Sequence, residues 1–396
     1  MRVVVVGASL AGVRTVQGLR RRGCTAEIAL VGHESGSAAG VAADRPPLSK
    51  AFLSGAVAEA PPLVSPADLI ALDVALVEGR ATDLNLQGQR LVLHGGDEVG
   101  FDRLVIATGS SPRSVPELEP RAGVHTLRTA ADAHAIRAAA GEGTRVVVVG
   151  GGFIGAEVAG TLTSLGRQVS VVEPLPALMI RGLGPEIGAV FTRRHVATGV
   201  DVYLGAGVTA IEGDDRVEGV RLTDGSWLPA DLVVLGLGTV PEVGWLADSG
   251  LDLRDGVVCD GHLAADGANG VYAVGDVVRW RHPRYGEEVR VEHWTNAVET
   301  GAVVAANLTG GAAVHDALPY VWSDQLGARL QVFGQVRPQD DLQVVFGDLE
   351  GSFVAVTGDE GRGGLRSVIG FGAMKQLLPY RKLLVSGAGW DEALAG

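Results

Sequence analysis

Two runs of consecutive β-branched residues, Val3-Val4-Val5-Val6 and Val146-Val147-Val148-Val149, leave no polar position on either face. A strand with one wet face alternates, so these runs predict strands covered on both sides, as in a parallel sheet. Each run is followed by a glycine-rich turn and then by about ten residues of helical pattern ending at glycine. Residues 2–12, RVVVVGASLAG, align with residues 145–155, RVVVVGGGFIG; beyond them Leu19 falls on Leu162 and Gly23 on Gly166. The chain therefore contains the same β-α-β unit twice.

In the second copy Gly150, Gly152 and Gly155 form G-x-G-x-x-G with Phe153 and Ile154 between them, and Glu173 closes the next strand, Val169 to Val172. The first glycine makes the turn, the second admits a pyrophosphate to backbone N–H groups, and the third lets helix pack on strand. The helix N-terminus then faces the negative charge. Glu173 is placed to accept the ribose hydroxyl protons of NAD and would repel a 2'-phosphate, and Pro174-Leu175-Pro176 offers no arginine to receive one. NADH rather than NADPH is expected.

The first copy reads Gly7-Ala8-Ser9-Leu10-Ala11-Gly12, with serine at the middle position. A serine still permits close approach, and its hydroxyl can itself bond phosphate. Glu34, past the second strand Ile28 to Val31, is the candidate for the adenosine ribose. Two dinucleotide sites in one chain imply hydride passing between two cofactors. The predicted fold is α/β: two Rossmann-like dinucleotide-binding domains, as in glutathione-reductase-like FAD/NAD proteins, plus a C-terminal α/β cap.

Further segments resemble the two-dinucleotide flavoprotein reductases, namely Val105-Ile106-Ala107-Thr108-Gly109 and Val271-Tyr272-Ala273-Val274-Gly275-Asp276. Asp44-Arg45-Pro46-Pro47-Leu48-Ser49-Lys50, Leu127-Arg128-Thr129, Glu292-His293-Trp294-Thr295-Asn296-Ala297 and Trp322-Ser323-Asp324-Gln325 narrow the resemblance to the NADH-dependent ferredoxin reductases of oxygenase systems. That resemblance puts FAD on the N-terminal fingerprint and makes Asp276 an acceptor for a ribityl hydroxyl. It pairs Lys50 with Glu157 beside the flavin N5, uses Arg45 and Arg128 as flavin contacts, and sets Trp294 and Trp322 near the ring. The implied FAD set is Gly7, Ser9, Ala11, Gly12, Glu34, Arg45, Lys50, Ala107, Thr108, Gly109, Arg128, Gly275, Asp276, Glu292, His293 and Trp294. The implied NAD set is Gly150, Gly152, Phe153, Ile154, Gly155, Glu173, Gly236 and Gly238. The resemblance also implies an FAD domain at 1–111 and 243–317, an NAD domain inserted at 112–242, and a C-terminal domain at 318–396.

The two cysteines, Cys24 and Cys259, form no C-x-x-C pair, and residues 36–55 hold none where disulfide reductases of the superfamily carry their redox pair. Electrons are then expected to leave the flavin directly for an outside acceptor. The histidines show no ligand spacing, so no metal is proposed. A net charge of −13 argues against wholesale binding to nucleic acid or an anionic membrane. The N-terminal run reads as a buried strand, neither signal peptide nor anchor, and a cytoplasmic monomer or homodimer is expected. A local basic run, Arg279 to Arg284, is the candidate rim for an acidic two-iron ferredoxin serving a cytochrome P450 or a ring-hydroxylating dioxygenase. The alternatives are a rubredoxin reductase, an NADH oxidase, or a redox-sensing flavoprotein of the apoptosis-inducing-factor type.

Overall fold

The computed structural model describes residues 1–395 apart from 35–40, 116–117, 119–120 and 360–363. Its helices, in chain order, are α1 (Leu10–Arg21), α2 (Pro66–Ala71), α3 (Ala130–Ala139), α4 (Phe153–Ser164), α5 (Ile180–Ala197), α6 (Trp294–Leu308), α7 (Met374–Ser386) and α8 (Trp390–Ala395). Among the described residues the two valine runs become central strands of two parallel five-stranded sheets. In the first sheet the order is Val271–Ala273, Arg103–Ile106, Arg2–Val6, Glu27–Gly32, Val74–Glu78. In the second it is Asp201–Leu204, Gln168–Glu173, Arg145–Val149, Leu232–Leu235, Val124–Thr126.

The duplication extends to register. Arg2 stands opposite Glu27 as Arg145 stands opposite Gln168. The Gly7 N–H donates to the Val31 carbonyl and the Gly150 N–H to the Val172 carbonyl, both at 2.8 Å. Both glycines have φ above +100°, a conformation that a side chain resists. Helices α1 and α6 close on each other at small residues: a Cβ on Gly18 would stand 2.8 Å from the Ala305 methyl.

The segments that cross between the two sheets pair with each other. Ser110–Pro112 runs antiparallel to Thr239–Pro241, and the Thr108 hydroxyl donates to the Glu242 carbonyl at 2.8 Å. A third, antiparallel sheet follows, ordered Tyr320–Gln325, Ala328–Gly334, Gly364–Phe371, Phe353–Asp359, Asp341–Gly347. Its alternation serves two cores. Phe353 and Ala355 pack with Leu183, Ile187 and Phe191 of α5, while Val354 and Val356 face Leu377 and Leu384 of α7 and Trp390 of α8. This sandwiching seats the edge strand Tyr320–Gln325 against α4.

A neutral histidine pair lies against Trp280, whose ring centroid is 6.1 Å from that of His282 and 4.9 Å from that of His315. His282 donates from Nε2 to the Ala317 carbonyl and accepts the Arg284 N–H on Nδ1, while the His315 Nε2 donates to the Asn296 Oδ1 at 3.0 Å. Burial, with His282 nearby, pushes His315 down to about 4. Below roughly pH 6.5 the unfolded chain gains a proton here that the folded chain refuses, so stability falls as pH drops from there toward the folded value. Urea midpoints at pH 7.5 and 5.5 should show the wild type losing about 1 kcal/mol more than His315→Gln; equal losses would refute the assignment.

Candidate active site

Both glycine turns open onto one cavity of about 540 Å³. Ser9, Leu10 and Ala11 line it from the first turn, and Gly150, Gly152, Phe153, Ile154 and Gly155 from the second. Ser9 is the N-cap of α1 and Gly152 that of α4; neither side chain caps its helix, and neither first turn carries an acid. Two helix ends thus present uncapped N–H groups to the same space. Gly7 and Gly12 do not border it. A Cβ on Gly7 would stand 2.2 Å from the Ala107 carbonyl oxygen, and one on Gly12 would stand 2.0 Å from that of Gly7, so both glycines build the turn from behind.

The other expected residues fall into two groups around the cavity. Ala107, Thr108, Gly109, Arg45, Arg128, Gly275, Asp276, Glu292, His293 and Trp294 line one part, and Glu173, Gly236 and Gly238 border it beside the second turn. Glu34 does not border it and instead pairs with Arg45 at 3.5 Å. Arg128 and Asp276 are 3.0 Å apart, and the Ser110 hydroxyl donates to the same carboxylate oxygen at 2.8 Å. Burial alone would raise Asp276, but Arg128 and these hydrogen bonds hold its carboxyl below the usual range. Arg45 is pushed down to about 10, first by burial and then by the neighbouring Arg128 guanidinium, against the pull of Glu34 and Asp276.

The Nε atoms of Arg45 and Arg128 and the Nδ1 of His293 are buried without a hydrogen-bond partner. The three residues line the cavity, and buried polar atoms left without a partner in its wall suit a site that a polar ligand completes. His293, the N-cap of α6, is pushed down to about 4 by burial and is neutral at pH 7. Trp294 donates its indole N–H to the Asp44 Oδ1 at 2.9 Å and meets Trp322 edge-on at 5.8 Å between ring centroids.

Lys50 and Glu157 meet at 2.7 Å across the seam between the two parallel-sheet regions. Lys50 is 20% exposed and also donates to the Pro46 carbonyl at 3.1 Å, while Glu157 is buried on α4. A sequence reading alone leaves Glu157 as a favourable charge near a helix N-terminus; the structure makes it half of an ion pair.

Glu173 is buried at the end of its strand, accepting the Gly151 N–H at 2.6 Å and the Leu175 N–H at 2.9 Å. A carboxylate offers about four lone-pair directions, so two remain for a ligand. Arg181, in the first turn of α5, lines the cavity with Glu173 and Pro174; it lies beyond the Pro174-Leu175-Pro176 segment, so no local spacing in the sequence ties it to the acid.

The basic run Arg279 to Arg284 is a correction. Arg279 pairs with Asp255 at 3.0 Å and with Glu288 at 2.9 Å, Arg284 donates to the Leu384 and Val385 carbonyls, and Trp280 and His282 are buried. Arg279 and Arg284 thus hold strands and the C-terminal helix together, and of the three arginines only Arg281 stands exposed without such a structural role. Among the described residues no group of three potential metal ligands occurs, and no helix is long and apolar enough to cross a membrane.

Residues 1–301 match the family model described as pyridine nucleotide-disulphide oxidoreductase. The chain is 35% identical to putidaredoxin reductase of Pseudomonas putida over 86% of its own length and 82% of that protein's. It is 34% identical to a rubredoxin-NAD(+) reductase of Ectopseudomonas oleovorans over 87% and 89%. The crystal structure of the ferredoxin reductase for the CYP199A2 system of Rhodopseudomonas palustris superposes with a TM-score of 0.92, 32% identity, and coverage of 98% and 95%.

Proposed function

Because the chain belongs to the pyridine nucleotide-disulphide oxidoreductase family, we propose that it is an FAD-dependent NADH:ferredoxin oxidoreductase whose acceptor is a two-iron ferredoxin of an oxygenase system. The single observation that carries this reading is the shared cavity: residues of both fingerprint turns line it together with the Lys50–Glu157 pair, and no cysteine is among its lining residues. The residues fit both dinucleotides. Ser9, Ala11, Arg45, Arg128 and Asp276 surround the part assigned to FAD, and the unpaired guanidinium donors of Arg45 and Arg128 suit a pyrophosphate. Gly150, Gly152, Gly155, Glu173, Gly236 and Gly238 surround the part assigned to NADH. The FAD-binding region comprises 1–111 and 243–317, the NAD-binding region 112–242, and the C-terminal region 318–396.

Bound FAD supplies an acceptor for hydride and a donor of single electrons. The chain's own part is electrostatic and steric. Arg45 and Arg128, crowded in a buried space, lose their mutual repulsion when an anion enters between them. Lys50 holds a positive charge at the cavity wall where negative charge grows, and Glu157 keeps it there. Asp276, kept ionised by Arg128, can accept a hydrogen bond from a ligand hydroxyl. His293, neutral at pH 7, offers a hydrogen bond without adding charge. Trp294 and Trp322 cover apolar surface and exclude water.

Anaerobic titration with NADH and NADPH, followed by addition of a two-iron ferredoxin or a rubredoxin, tests the reading. NADH should bleach the flavin at lower concentration than NADPH, and the reoxidised flavin should reappear faster with ferredoxin. Bleaching by NADPH at equal or lower concentration would overturn the role of Glu173, and faster reoxidation by rubredoxin would change the acceptor. Glu173→Ala should raise the KM for NADH roughly tenfold with flavin still bound; loss of flavin would mean that the two nucleotide sites are reversed.

A further inference from the structure

Two buried polar side chains at the seam have no role so far. Ser323 and Gln325, each 1% exposed, point to the same side of the edge strand Tyr320–Gln325, which lies against α4. The Ser323 hydroxyl donates to the Glu157 Oε1. The Gln325 Nε2 donates to the Ser323 Oγ at 2.9 Å and toward the Phe153 carbonyl at 3.4 Å. A carbonyl only accepts, so the Gln325 atom between these two oxygens is its NH2 group. With an NH2 donating into its oxygen, Ser323 has one direction left for its own proton, toward Glu157.

The other Glu157 oxygen accepts the Ser49 hydroxyl at 2.5 Å and the Lys50 ammonium at 2.7 Å. Both carboxylate oxygens are therefore held by donors, from the loop before Lys50 on one side and from the third sheet on the other. The charged groups around this carboxylate are few. Lys50 is its ion-pair partner; His195 of α5 reaches the Ala156 carbonyl at 3.3 Å; Asp324 turns away to Arg329 at 2.8 Å.

We propose that Ser323, oriented by Gln325, is a positioning residue for hydride transfer: it fixes the Glu157 carboxylate so that Lys50 is held at the cavity wall. The C-terminal sheet thereby takes part in the first half-reaction, in addition to any contact it makes with an electron acceptor. This rests on the reading of the cavity as the meeting place of NADH and FAD.

Stopped-flow reduction of the holoprotein by NADH tests it, with Ser323→Ala, Ser323→Thr and Gln325→Met. Ser323→Ala should keep its flavin and its Kd for NADH while reduction slows roughly tenfold, the worth of a hydrogen bond to a charged group. Ser323→Thr should return to within about twofold of wild type, and Gln325→Met should fall between. A Ser323→Ala protein with an unchanged reduction rate overturns the proposal alone, as does an unchanged Gln325→Met protein if Ser323→Ala does not fold. A wild-type flavin that NADH does not reduce overturns the reading of the cavity as well.

Discussion

Gly12→Val should give a protein that holds no flavin and folds poorly, whereas Gly155→Ala should stay yellow and lose its hold on NADH. The two positions are equivalent in the duplicated unit. A Cβ at Gly12 would lie 2.0 Å from the Gly7 carbonyl oxygen and one at Gly155 would lie 2.1 Å from that of Gly150. Backbone oxygens cannot swing aside, so the helix must lift from its strand, and α1 in turn carries the contact with α6. Overpacking of this kind costs about 3 kcal/mol or more. For Gly155→Ala the displaced helix end is the one assigned to NADH, and a KM increase of roughly tenfold to a hundredfold is expected with flavin content near one per chain. Flavin absorbance of the purified variants and their urea midpoints measure both effects. A yellow Gly12→Val protein with a wild-type midpoint would show that the cradle tolerates what its geometry forbids.

Lys50→Met should slow flavin reduction by NADH about a hundredfold and should also destabilise the fold, and the two effects can be separated. The variant leaves Glu157 buried with two hydroxyl donors and no cation. Breaking a buried pair by removing one partner costs roughly 3–5 kcal/mol, and the partial exposure of Lys50 brings the expectation nearer to 2. In Lys50→Met/Glu157→Gln the stranded charge is gone, so stability should recover to within about 0.5 kcal/mol of wild type while the rate stays low. Stopped-flow rates and denaturation midpoints for the two single variants and the double variant close the cycle. Recovery of the rate in the double variant would mean that the lysine serves the fold and not the chemistry.

The parts legible in the sequence are those in which backbone geometry dictates residue type. Uninterrupted valine announces a strand covered on both faces, and Gly7 and Gly150 at φ above +100° are positions that glycine alone fills easily, so the duplicated unit and its register could be read directly. The Lys50–Glu157 pair was legible only through resemblance, because nothing local to either residue joins positions 108 apart in the case of Ser49 and Glu157. Ser323 belongs to the motif Trp322-Ser323-Asp324-Gln325, yet its partner depends on how an edge strand of a third sheet lands on α4. The basic run misled for the opposite reason. Arg279 is neutralised by Asp255, from a loop distant in sequence, and by Glu288, from across a hairpin, and neither partner lies within the run.

The grip of Glu173 on Gly151 and Leu175 bears on any attempt to retool the protein for the phosphorylated coenzyme. Deleting the carboxylate would clear room for the extra phosphate beside Arg181, but it would also release the two amides that keep the turn closed. A designer would do better to graft the whole turn than to exchange the one acid, since even glutamine would set its NH2 group against one of the two N–H donors.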